Sequence, residues 1–238
     1  MEIDGETRSA RKDREIIQAA TAAFVRGGYD GTSMEEIATK AGVSKQTVYK
    51  HFTDKETLFG DVVRSSAAQA NDAIELVTRL LSDTEFTAGG LQQLARRLMT
   101  TLMDEERLKL RRLIIANADR MPRLGRDWYE KGFERMLATM ASCFQKLTSR
   151  GLLQTRDPHL AASHFFGMLL WIPMNEAMFT GNRNPRSMAE LERHADVSVE
   201  AFLVAYGAPS QSSGPTQRKP QKPVKSLDWS SFLWREGN

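Results

Sequence analysis

Between residues 45 and 51 the chain reads Lys-Gln-Thr-Val-Tyr-Lys-His, and every position but Val48 carries a hydrogen-bonding or cationic side chain. No carboxylate interrupts the run, and Asp54 and Glu56 stand just beyond it. These residue types suit nucleic-acid contact better than bond-making chemistry. An amide or ammonium, as on Gln46 and Lys45, reads base edges, while hydroxyls and cations, as on Thr47, Tyr49, Lys50 and His51, hold phosphate oxygens. Val48 and Phe52 are four apart, so on a helix they point the other way, into a core.

Such a set must be presented by something, and the preceding residues supply it. Thr32 with Glu35, or Ser33 with Glu36, makes a capping box at a helix start. Met34, Ile37, Ala38 and Ala41 give that helix one apolar face. Gly42 ends it, because glycine tolerates the left-handed backbone that helix C-termini favour. Ser44 caps the helix Lys45–His51, and Thr53 with Glu56 opens a third. Helix, short glycine turn and short helix form a helix-turn-helix, whose second helix enters a DNA groove.

The pattern Gly42-Val43-Ser44-x-x-Thr47-x-Tyr49-x-His51-Phe52-x-x-Lys55-Glu56-x-Leu58 resembles the DNA-binding domain of the tetracycline-repressor (TetR) family. The similarity extends upstream through Ile16-Ile17-x-Ala19-Ala20, Phe24, Gly28-Tyr29 and Thr32-Ser33-Met34. The resemblance implies that Lys45, Gln46 and Tyr49 face base edges, and that Thr47, Tyr49, His51 and Lys55 hold phosphates. It also implies that Thr32 and Ser33 approach the DNA from the start of the preceding helix. The block Leu108–Phe144, with Arg111-Arg112-Leu113-Ile114-Ile115-Ala116 and Met121-Pro122-x-Leu124-Gly125-Arg126-x-Trp128-Tyr129, is more loosely similar to AefR-like C-terminal domains of that family.

The rest of the chain reads as helices, with no alternating strand pattern. A first helix from about Ser9 to Arg26 carries Ile16, Ile17, Ala20, Ala23 and Phe24 as its stripe. A long helix from Lys55 to about Leu81 leads from the DNA-binding unit into a second domain, with Val77, Leu80 and Leu81 among its apolar positions. Further helices follow over Leu91–Leu102, around Leu108–Ile115, from Pro122 to about Ser149, from Pro158 to about Phe179, and from Ser187 to about Tyr206. The expectation is an all-α chain of about nine helices. It divides into a helix-turn-helix domain at 9–54, a helical ligand-binding and dimerisation domain at 55–207, and a Pro/Ser/Gln/Lys-rich disordered tail at 208–238. The first eight residues read as a frayed arm.

Composition bounds the function less sharply. The 238 residues carry 33 Lys plus Arg against 30 Asp plus Glu, a net charge of +3, so any affinity for nucleic acid must be local. Cys143 is the single cysteine, which excludes an intrachain disulfide and a cysteine zinc site and reads as a buried small residue. No apolar run reaches the ~20 residues of a membrane span, and the expected compartment is the cytoplasm. Phosphate-binding glycine loops, Gly-x-Ser-x-Gly and His-Glu-x-x-His are all absent, so neither enzyme, cofactor nor metal is expected. Trp128, Phe133, Phe165, Met168, Trp171 and Asn175 are read either as packed core or as the wall of a ligand pocket, with Pro173 kinking the helix beside them by orphaning the Leu169 carbonyl. Leu191, Ala195, Val199, Phe202 and Tyr206 form a helix-helix seam, which the family resemblance assigns to a four-helix dimer interface and which a monomer could also use internally. The expected function is a repressor that binds a palindromic double-stranded operator as a homodimer and is released by a small apolar or aromatic ligand. The alternatives are an activator or architectural DNA binder without a ligand, and a ligand-binding helical protein with a vestigial DNA motif.

Overall fold

In the computed structural model the described residues are 8–83, 88–181 and 185–208. The expected N-terminal arm and the tail from 209 fall outside these residues, as do the side chains of Val77, Leu80 and Leu81. The elements run α1 (Arg8–Gly27), α2 (Met34–Lys40), α3 (Lys45–His51), α4 (Lys55–Asp83), α5 (Ala88–Leu102), α6 (Glu105–Asn117), α7 (Pro122–Trp128), a π-helical turn (Tyr129–Glu134), α8 (Arg135–Ser149), α9 (Pro158–Thr180) and α10 (Met188–Tyr206). The π turn joins α7 to α8 without a break, so the described residues form nine rods and the expected all-α class holds. The extended contact among them is a single bridge between Leu153 and Gly207.

Local chemistry sets most boundaries. Ser33 caps α2 by accepting from the Glu36 amide, and Ser44 caps α3 by accepting from Thr47. Gly42 adopts φ 66° between the two helices, a conformation that costs a side-chain-bearing residue free energy. Asp157 caps α9 with Pro158 in its first turn, and Ser187 and Glu190 close the full reciprocal capping box on α10.

Two large apolar clusters hold the rods. One collects Ile16, Ala20, Phe24, Ile37, Val48, Phe52 and the α4 residues Leu58, Phe59, Val62 and Val63, and it continues into Leu110, Ile114, Met121 and Leu124 of the α6–α7 region. The core of the helix-turn-helix therefore crosses the boundary expected at 54/55. The other unites α5, α8, α9 and α10 around Phe144, Phe165 and Phe202, whose rings lie 5.0–5.6 Å apart. Cys143 is buried within it. Leu191, Ala195, Val199 and Phe202 are also in this cluster, and Tyr206 packs on it while meeting His164 Nδ1 through its hydroxyl at 2.5 Å. This corrects the expected dimer assignment: the seam faces α5 and α9 of the same chain and is spent on internal packing.

Pro173 sits inside α9 and cannot donate to Leu169. The orphaned carbonyl is met from the neighbouring helix: the ring Nε2 of His194 lies 3.1 Å from Leu169 O, and Ser198 Oγ donates to Met168 O at 3.2 Å. Packing and backbone chemistry thus agree on how α10 sits against α9. Replacing His194 with Ala leaves a carbonyl unpaired and is expected to cost about 1–3 kcal/mol. The same change in a Pro173→Ala background, where the helix can satisfy that carbonyl itself, is expected to cost less. Thermal and urea denaturation followed by circular dichroism measure both, and equal costs in the two backgrounds would show that the cross-helix bond is not the cause.

Candidate nucleic-acid interface and ligand cavity

The α3 helix is seven residues long, too short to persist alone, and it is fixed by burial of Val48 and by Phe52 at its C-cap. Lys45, Gln46, Tyr49 and Lys50 remain exposed, with Tyr49 44% accessible. Thr47 is half-buried, its hydroxyl 2.9 Å from Ser44 Oγ. Lys45 Nζ lies 5.7 Å from the Tyr49 ring centre and is ion-paired with Glu35 of α2. Their hydrogen bond holds the Glu35 carboxyl below its usual range and raises the Lys45 ammonium. Ser33 is exposed at the start of α2, beside this face.

Three residues expected at the DNA surface are committed elsewhere. Thr32 is 2% accessible, and its hydroxyl donates to Gly28 O at 2.8 Å and Ala23 O at 3.2 Å. It locks the α1–α2 corner and cannot reach a phosphate, while Ser33 alone takes the N-cap role. Lys55 Nζ donates to Tyr29 O and Thr32 O, both at 3.0 Å, and lies 4.6 Å from the Tyr29 ring centre. Its charge is thus turned inward to satisfy two loop carbonyls. His51 Nδ1 contacts Asp13 Oδ1 of α1 at 2.5 Å, and its side chain is 14% accessible. Arg120, between α6 and α7, pairs with Asp30 at 3.0 Å and covers the Tyr29 ring at 5.0 Å. Tyr29 is thereby contacted by two cations, one from α4 and one from the α6–α7 corner, a contact the sequence offered no local signal for.

A cavity of about 640 Å³ opens between α4, α6, the π turn, α8 and α9. This lies within the ~300–1,000 Å³ of small-molecule sites. Of the expected wall, Trp128, Phe133, Trp171 and Asn175 line it. Phe165 does not; it is 1% accessible, edge-on to Phe144 and Phe202 in the core. Met168 does not either; it is 40% exposed on another face of α9. Residues missed by sequence reasoning include Ala67, Ala70 and Asn71 of α4 and Arg107, Arg111 and Arg112 of α6. The π turn contributes Gly132 and Phe133, and such turns recur at functional sites. Among the described residues no group of His, Cys, Asp and Glu could hold a metal ion, and no helix is long and apolar enough to cross a membrane.

A cationic, hydroxyl-bearing helix turned outward by a helix-turn-helix, above a helical body with a side cavity, defines a DNA-binding transcriptional regulator by class. The comparisons with known proteins narrow the class. Residues 16–62 match the bacterial regulatory proteins of the tetR family, and residues 89–208 match the AefR-like transcriptional repressor C-terminal domain. The chain is 81% identical to a TetR-family transcriptional regulator from Mesorhizobium loti whose crystal structure it matches with a TM-score of 0.82, over 85% of this chain and all of that one. It is 26% identical to the flavonoid-responsive regulator FrrA, with a TM-score of 0.62 over 84% of this chain and 99% of that one. Over 98 residues it is 34% identical to the DNA-binding transcriptional repressor TetR of Mycobacteroides abscessus, 41% of this chain and 50% of that protein. It spans about half the length of that relative and of the repressor AcnR from Corynebacterium diphtheriae, to which it is 28% identical. The chain belongs to the TetR family of transcriptional regulators, with a C-terminal domain of the AefR-like kind. That family consists of regulators rather than enzymes.

The inward placement of Lys55 carries a consequence. Lys55→Ala removes two charge-assisted hydrogen bonds, and each such bond is worth about 1.5–3 kcal/mol. The variant is expected to melt lower than wild type as well as to bind DNA more weakly. A melting scan beside a mobility-shift titration separates the two; unchanged melting with lost binding would return Lys55 to the phosphate role.

Proposed function

We propose that this regulator is a homodimeric repressor that places two copies of α3 in successive major grooves of a palindromic operator, about 34–36 Å apart. Lys45, Gln46 and Tyr49 choose the sequence, and Ser33, Thr47 and Lys50 hold the backbone. The observation that carries the reading is the exposure of Lys45, Gln46, Tyr49 and Lys50 on a helix whose opposite face is sealed into the core. His51 contributes through its contact with α1, orienting the C-terminal end of α3.

The dimer uses α9 and α10, but on the faces turned away from the internal seam. Leu160, Met168, Ile172 and Phe179 of α9 and Val197 and Val204 of α10 are exposed and recur at helical spacing. Apolar stripes on two adjacent helices suit a four-helix contact with a second copy.

A small hydrophobic ligand in the cavity releases the operator. Supporting this, α4 and α6 each face both ways. Leu58, Phe59, Val62 and Val63 of α4 and Leu110 and Ile114 of α6 belong to the helix-turn-helix core, while Ala67, Ala70, Asn71, Arg111 and Ile115 farther along or around the same helices line the cavity. The likeness to a flavonoid-responsive regulator supports an aromatic guest. Release is bounded by the difference in ligand affinity between the two conformations, typically ~1–3 kcal/mol.

Selection of genomic fragments by the purified protein supplies an operator for mobility-shift titrations. Tyr49→Ala is expected to weaken that operator by ~1–3 kcal/mol with melting unchanged. Glu35→Gln, which removes a carboxylate beside Lys45, is expected to tighten binding and steepen its salt dependence. Failure to enrich any duplex, or wild-type binding by Tyr49→Ala, would overturn the interface.

A further inference from the structure

The polar equipment of the cavity is one-sided. Arg107, Arg111 and Arg112 reach its wall from α6, and among the described residues no Asp or Glu lines it. Arg112 has an occupation: it donates to Ala177 O at 3.1 Å, and it lies near Glu105, whose carboxyl is lowered chiefly by its hydrogen bond to Lys109 and only in small part by Arg112. Arg111 forms neither an ion pair nor a hydrogen bond among the described residues. Burial holds it below the ordinary guanidinium range. A guanidinium does not surrender its proton near neutral pH, so a positive charge stands half-buried in an apolar wall without a counter-ion. Breaking or withholding the partner of such a charge is costly, and a bound anion offsets that cost.

A second polar atom in the wall is also unpaired. Asn71 is 3% accessible; its Nδ2 donates to Lys131 O of the π turn at 2.6 Å, which fixes the amide, and its Oδ1 has no hydrogen-bond partner among the described residues. Apart from Arg107, Arg112, Ser66, Ser163 and Asn175, the remaining wall is built of apolar residues and glycine and is rich in rings, including Trp128, Phe133 and Trp171. A purely hydrocarbon guest would leave the guanidinium without a counter-ion, and the Asn71 oxygen, an acceptor, is met only by a guest that also carries a donor.

We infer that the cavity takes a flat hydrophobic carboxylate, its head held by the Arg111 guanidinium and its body stacked among the rings. This rests on the reading of the cavity as the ligand site and specifies the guest that reading left open. The planar fork of arginine matches a carboxylate through two parallel bonds. A single negative charge is easier to desolvate in this wall than the two of a phosphate monoester.

The test uses two matched pairs in calorimetric titrations at neutral pH: 2-naphthoate with 2-naphthamide, and 1-pyrenebutyrate with its methyl ester. Wild type is expected to bind each acid at least about tenfold tighter than its neutral counterpart, the scale of a charge-assisted bond. In Arg111→Gln that preference should fall to about onefold while the neutral compounds bind as before. Arg111→Lys should keep part of the preference, which a role for the aliphatic stem alone would not predict. Melting curves identify a variant that has failed to fold, and the wild-type comparison of acid with neutral compound decides the question without any variant. If neutral and acidic members bind wild type equally, the carboxylate assignment falls and the cavity stands as a ligand site. If neither member of either pair binds, the cavity reading falls and takes this inference with it.

Discussion

Burial of Val48 and Phe52 is the interaction on which the DNA-facing half of the molecule depends. A seven-residue helix forms one or two turns of hydrogen bonds and does not repay its nucleation cost in water. It exists here because those two side chains enter a cluster already built by α1, α2 and α4. The outward set of cations and hydroxyls is the complement of that burial: on so short a rod, fixing two inward positions fixes all the others. Lys55 donates to the loop carbonyls of Tyr29 and Thr32, and the Thr32 hydroxyl to those of Ala23 near the C-terminal end of α1 and of Gly28 just beyond it, so side chains serve backbone groups at the α1–α2 corner.

What the sequence made legible is what physics encodes within three or four residues. The caps at Ser33, Ser44, Asp157 and Ser187, the turn at Gly42 and the apolar stripes lie in local spacing, and each stands where it was expected. The orphaned Leu169 carbonyl was legible for the same reason, since proline removes its own donor. Its partner, His194, stands 25 residues away and was not. Thr32 and Lys55 show the same limit from the other side. Both are polar residues in a DNA-binding motif, and only the three-dimensional corner reveals that their donors turn inward. A helical stripe states that a face is covered without stating by what. Hence the spacing of Leu191, Ala195, Val199 and Phe202 leaves a second copy and the same chain both open as the neighbour, and the fold packs them on the same chain. The cavity was half legible: aromatic residues on two helices announced Trp128, Phe133 and Trp171, but no local pattern marked the arginines of α6 as part of its wall.

The continuity of the first cluster also bears on the proposed coupling between the cavity and α3. A loose linker between a reader and a sensor would let either move without the other. Here Leu110 and Ile114 share a cluster with the core that seats α3, and the Tyr29 ring is contacted by Lys55 of α4 and by Arg120 at the α6–α7 corner. Interiors packed to this density shift as units rather than deform smoothly.

That rigidity sets the terms on which a guest in the cavity matters. A ligand that merely fills space binds every arrangement of α4 and α6 alike and shifts nothing, however tightly it is held. A guest that sets an anionic head on Arg111 and a hydroxyl donor on Asn71 Oδ1 discriminates, because those side chains sit on different helices, and both helices enter the core behind α3. The polar groups of the cavity wall are therefore the means by which binding energy can favour one disposition of α4 against α6, and the apolar wall supplies affinity without preference. On the proposed release mechanism, linkage requires the operator to oppose the guest with the same coupling free energy that the guest exerts on the operator.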